Sequence, residues 1–139
     1  INLIENITGK KVKYYRAPGF SIKEQNTWVF NELINQGIEI DCSIFPAPRA
    51  HGGIDNFPKL GPVKISAKGQ IIKELPINTY SFMNKPIIFS GGGYFRLIPY
   101  PIIKYLVKKS DYVMTYFHPR DFDKQQPIVN DLSYFRKIK

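Results

Sequence analysis

The residues predict an α/β chain with one core. Three patterns carry this reading. Residues 12–44 read as strand, helix, strand at the spacing of a βαβ unit, with the two strands parallel and the crossover right-handed. Residues 63–75 read as a β-hairpin around Gly69. Residues 99–117 read as a proline-started helix followed by another strand. A chain of 139 residues supports a single domain, and a hydrophobic fraction of 43% excludes a disordered polymer.

Each element has a local reason. Ile1, Ile4 and Ile7 repeat at helical spacing and Gly9 is a helix stop, so residues 1–8 read as the last turns of a helix. The chain opens at Ile1 inside that helix, and a piece of a longer protein is the expectation. Val12 to Tyr15 reads as a short strand that ends at Arg16. Pro18 and Gly19 then turn the chain. Ser21-x-x-Glu24 is a capping-box pattern and predicts a helix start there. Val29 with Leu33, and Phe30 with Ile34, give that helix an apolar face, and Gly37 stops it. Ile38 to Ile44 is the next strand. From Phe45 to Pro62 the periodicity is lost, and a loop this long in a compact domain tends to be functional or mobile. Val63 to Ser66 and Ile71 to Leu75 are the arms of the hairpin. Pro76 to Lys85 reads as irregular, and Pro86 to Phe89 as a short strand. Gly91-Gly92-Gly93 reads as a tight turn or a close backbone approach. Pro99 and Pro101 start a helix whose buried stripe is Ile102, Ile103, Leu106 and Val107. Tyr112 to Phe117 is a strand that ends at His118. Leu132 and Phe135 give only a weak helical signal.

The charge of +9 allows acidic partners: nucleic acid, anionic polysaccharide or a membrane surface. The lysines are scattered, so a generally solvated basic surface is the simpler reading, and no aromatic-basic motif of a known nucleic-acid reader occurs. No apolar run approaches the ~20 residues that span a bilayer. One cysteine, Cys42, leaves the redox compartment open and permits no intrachain disulfide.

Three motifs place a functional side chain just past a strand: Arg16-Ala17-Pro18-Gly19-Phe20, Asp41-Cys42-Ser43-Ile44-Phe45-Pro46 and Tyr116-Phe117-His118-Pro119. Parallel sheets build their sites at the carboxyl ends of strands, so the three can share a pocket. Arg16 is either a surface arginine before a turn or a guanidinium that holds a carboxylate ionised. Asp41 is either an Asx turn or the carboxylate that orients a histidine. A lone His118 is more often structural; with Asp41 as partner it becomes a candidate general acid. His51 sits in a glycine-rich loop without a visible partner. Cys42 reads as a small buried side chain rather than a nucleophile. No histidine or carboxylate cluster has metal-ligand spacing, so no metal is expected on this chain. Phe20, Tyr94 and Phe95 lie beside proline or glycine rather than on a periodic core face, and they are the rings expected to stack on a sugar.

Arg-Ala-Pro-Gly-Phe-Ser, Asp-Cys-Ser-Ile-Phe-Pro, Gly-Gly-Gly-Tyr-Phe-Arg-Leu-Ile-Pro-Tyr and Tyr-Phe-His-Pro-Arg-Asp-Phe-Asp occur in this order over nearly the whole chain. Together they resemble the polysaccharide deacetylases of carbohydrate esterase family four, nearest the branch associated with exopolysaccharide synthesis. The resemblance implies the C-terminal part of a distorted (β/α) barrel with a hairpin insertion. It also implies a metal-dependent hydrolase that removes N-acetyl groups from the amino sugars of a polysaccharide. It gives Arg16 the task of steadying a catalytic Asp base. Gly19 and Phe20 fall where a backbone N–H faces the oxyanion. Asp41 supports the acid, His118 is the acid, and Tyr116 takes the place of a Leu lining the acetyl pocket.

The base and the metal ligands of that family, one further Asp and two His, have no counterparts here. Cys42 stands for a usual Ser, and Arg120-Asp121 for Trp-Glu. The full-length protein would hold a divalent metal, zinc first, and this chain alone would be inactive. The alternatives are a non-catalytic glycan-binding module or pseudoenzyme and, behind it, a basic nucleic-acid-binding domain.

Overall fold

A computed structural model describes residues 1–47, 49, 51–58, 61–82, 85–123 and 125. They fall into two compact units, residues 1–78 and 79–139.

The first unit opens with α1 (Asn2–Thr8), closed by Gly9 at φ 65°. Leu3, Ile4 and Ile7 on this helix are exposed. Glu5 ties it to the next segment by accepting from the Val12 N–H at 2.9 Å and pairing with Lys11. β1 (Tyr14–Tyr15) follows. The helix expected to start at Ser21 does not start there. Asn26 Oδ1 accepts the Lys23 N–H at 2.6 Å, capping a short 3-10 turn, Glu24–Asn26, and α2 runs only from Val29 to Asn35. Phe30 and Leu33 are its buried residues, and Gly37 at φ 79° turns the chain out of it.

β2 is Ile40–Asp41, shorter than the strand expected over 38–44. Its continuation leaves the ladder because side chains take the backbone donors: the Ser43 N–H donates to Asp41 Oδ2, and the Ile44 N–H to Glu74 Oε1. β3 (Val63–Ala67) and β4 (Gln70–Glu74) form the hairpin one residue from its expected bounds. Lys68 and Gly69 both have positive φ, the geometry of a two-residue turn that matches strand twist.

The sheet order is β1-β2-β4-β3. β1, β2 and β4 are mutually parallel neighbours, and β3 is antiparallel to β4. The register sets Tyr15, Asp41 and Glu74 in one row across the three parallel strands. α2 packs on the hairpin strands, and Phe30, Leu33, Ile38, Ile44, Ile54 and Ile72 form the core beneath it.

The second unit carries a strand not expected from the sequence. β5 (Tyr80–Phe82) pairs antiparallel with β6 (Lys85–Ile87). Pro86 lacks an N–H, which a two-stranded ribbon tolerates. The glycines read as a turn instead begin α3 (Gly92–Leu97), with Gly92 at φ 56°. The expected close approach is also present: a Cβ on Gly91 would lie 2.1 Å from the Tyr116 carbonyl oxygen.

α4 (Tyr100–Lys109) starts after Pro99. Its buried stripe is narrower than expected, Ile103 and Leu106, with Ile102 and Val107 exposed. The strand expected over 112–117 reduces to one parallel bridge, Gly91 to Tyr116. The ladder cannot lengthen because α3 begins at Gly92, the residue after the bridge. A 3-10 turn, Pro119–Phe122, follows His118. Leu132 and Phe135 lie outside the described residues. Among the described residues, no helix is long and apolar enough to cross a membrane.

Candidate functional site

The site in the first unit is built by strand ends. Arg16 follows β1 directly, and Asp41 and Glu74 are the last residues of β2 and β4. Because these strands are parallel, all three positions stand at the carboxyl end of the sheet. Arg16 is exposed, and its Nε donates to the Cys42 carbonyl at 3.2 Å, holding the end of β1 to the end of β2. A second link runs beneath. The Ala17 N–H donates to Ser43 Oγ at 2.7 Å, and the Ser43 hydroxyl donates to Asp41 Oδ1 at 2.6 Å. Asp41 is thus fixed by two bonds from Ser43, one from the hydroxyl and one from the backbone.

Asp41 and Glu74 are both 0% exposed and neighbours in register. Two carboxyls in one desolvated place do not both ionise readily. Burial pushes the Glu74 carboxyl up to about 10, and the adjacent Asp41 adds to the rise. Glu74 is therefore a neutral acid at pH 7. Its Oε1 accepts the Ile44 N–H at 3.0 Å, while Oε2 is buried without a hydrogen-bond partner among the described residues. Sequence reasoning missed Glu74. The signal was the period of two, since it shares the face of β4 with the fully buried Ile72.

Burial also pushes the Cys42 thiol up, with Arg16 opposing the rise. Cys42 is half-buried and lies just past the end of β2, not fully buried in a strand as expected; the raised thiol still argues against a nucleophile.

The turn after Arg16 is backbone-strained. Gly19 and Phe20 have φ 64° and 54°, and a left-handed phenylalanine is rare. Phe20 was expected to offer its ring to a sugar. It is instead 6% exposed and packs against Phe45, ring centroids 5.8 Å apart, because the turn folds the ring inward. The Phe20 N–H is also engaged, donating to the Ala17 carbonyl at 3.1 Å.

The second unit holds the other expected residues. Tyr94 and Phe95 are half-buried on α3. Phe95 packs edge-on against Phe117, centroids 4.9 Å apart, and near Phe122, so its ring belongs to an aromatic cluster. Tyr116 is half-buried. It holds the start of α3 through the Gly92 N–H at 3.0 Å, and its ring lies where a Cβ on Gly92 would fall. His118 is exposed, and its backbone N–H donates to Asp121 Oδ2 at 2.8 Å. Arg16 and Asp41 are thus brought together in one unit, and His118 belongs to the other. His51 is exposed in the loop.

No group of three His, Cys, Asp or Glu side chains placed to hold a metal occurs among the described residues. The buried acid pair does not supply one either, since both carboxyls are fully buried and Ser43 donates two hydrogen bonds to Asp41.

The model of a family described as a domain of unknown function, DUF3473, matches residues 42–139. The match includes Tyr94, Phe95, Tyr116 and His118, and starts one residue after Asp41. No curated protein and no solved structure matches the chain. Since the family match covers well over half of the sequence, the chain belongs to the DUF3473 family.

Proposed function

We propose that this chain is the C-terminal part of a polysaccharide deacetylase domain, a distorted (β/α) barrel that hydrolyses N-acetyl groups from the amino sugars of a polysaccharide. The observation that supports this best is Arg16 beside a fully buried Asp41 at the carboxyl ends of neighbouring parallel strands, joined through Ser43 and Cys42. This is where a parallel sheet carries its chemistry.

In this reading the exposed Arg16 guanidinium steadies a carboxylate base. The strained turn at Gly19 and Phe20 sets the backbone beside the reacting carbonyl. Tyr116 lines the acetyl pocket. Water adds to the amide carbonyl, the C–N bond breaks, and the leaving nitrogen takes a proton from the imidazolium of His118. Amines leave poorly without that proton, and a positioned acid is worth ~10²–10⁴-fold.

The divalent metal of such enzymes would supply an activated water and a Lewis acid. Among the described residues the donors do not fit it: Asp41 and Glu74 are fully buried, Asp41 is held by Ser43, and no third ligand stands beside them. No step is therefore assigned to metal-bound groups of this chain.

The test is amine release from an N-acetylglucosamine oligomer by the intact protein. Appearance of free amine with loss of acetate supports the reading. Binding of the oligomer without release would make the chain a glycan-binding module.

A further inference from the structure

Arg49 lies in the long loop, and sequence reasoning gave it no part. Its guanidinium stands over the Phe45 ring at 4.4 Å and the Phe20 ring at 5.8 Å, and Nη1 donates to the Gly19 carbonyl at 3.3 Å. The Arg16 guanidinium lies 5.5 Å from the same Phe20 ring centroid. Two guanidiniums therefore stand within 6 Å of one buried ring, beside the turn that follows Arg16.

This arrangement is locked in place. Arg49 bridges Gly52, and a Cβ on Gly52 would lie 1.9 Å from the Phe20 carbonyl oxygen, so the loop presses directly on the strained turn. The Gly53 N–H donates to the Ile22 carbonyl at 2.9 Å. Arg49 forms no ion pair with any carboxylate among the described residues, although Glu24 and Asp55 line the same cleft of about 340 Å³. A guanidinium stacked on rings keeps its in-plane N–H groups free to grip an oxyanion in two-pronged fashion.

We infer that Arg49 binds an oxyanion carried by the sugar chain, so that the glycan is anionic: a uronate carboxylate or a sugar phosphate. The net charge of +9 favours such a polymer over a neutral one. The inference rests on the glycan reading above and narrows its substrate class.

The test is calorimetric titration of the intact protein with trigalacturonate, glucose 6-phosphate and neutral chitotriose. At least one anionic sugar should bind about tenfold or more tighter than chitotriose, as expected for a charge-assisted pair. Tighter binding of trigalacturonate assigns a uronate, and tighter binding of glucose 6-phosphate a phosphate. Arg49→Gln should lose about tenfold for the anionic sugar and nothing for chitotriose, and Arg49→Lys should recover part of it. A thermal melt of each variant separates lost binding from lost fold. Chitotriose binding as tightly as both anions, or anion binding unchanged in Arg49→Gln, overturns the oxyanion site and leaves the glycan reading standing. Binding of none of the three by the wild type overturns both.

Discussion

At the residue scale the decisive feature is the Asp41–Glu74 pair. The carboxyl of Glu74 stands near 4.5 when unfolded and about 10 when folded. Between those values the folded chain holds a proton that the unfolded chain has released, so stability falls as pH rises through this window. Denaturant midpoints measured from pH 5 to pH 10 should decline, and Glu74→Gln, a neutral isostere, should remove most of the slope. A wild type equally stable at both ends would show that Glu74 is not held neutral. Gly52 sets a second test of the same site. Its Cβ position meets backbone, not a flexible side chain, so Gly52→Ala should cost roughly 1–3 kcal/mol through overpacking. A variant that melts with the wild type would mean that the loop does not clamp the Phe20 turn.

At the scale of elements, period and packing explain most of what forms. β4 alternates, with Ile72 fully buried and Ile71 exposed. Ile72→Ala should cost about 2–5 kcal/mol, and Ile71→Ala within about 0.5 kcal/mol, in urea unfolding. Equal costs would refute the register. This hairpin, the βαβ order and the ends of α1 and α2 at Gly9 and Gly37 were legible in the sequence, because local signals and long-range pairing agree there. The start of α2 was not: two capping patterns overlap, and Asn26 displaced Ser21. The truncation of β2 was not, because the competitors for its donors include a carboxyl group 30 residues away, on Glu74. Arg16 and Asp41 were found from strand ends; Glu74 left only the period-of-two signal of β4, and Arg49 left none. Their roles come from register and from loop packing that no short motif encodes.

At the scale of the whole molecule, each unit holds residues that the proposal uses. Arg16 and Asp41 belong to the first and His118 to the second. The most direct measurement is kcat for deacetylation of an N-acetylglucosamine oligomer by the intact protein, with bound metal quantified in each variant. His118→Ala should lower kcat by ~10²–10⁴-fold with metal content unchanged, since its role is proton transfer and not ligation. Normal turnover by His118→Ala, or loss of its metal, would contradict the account.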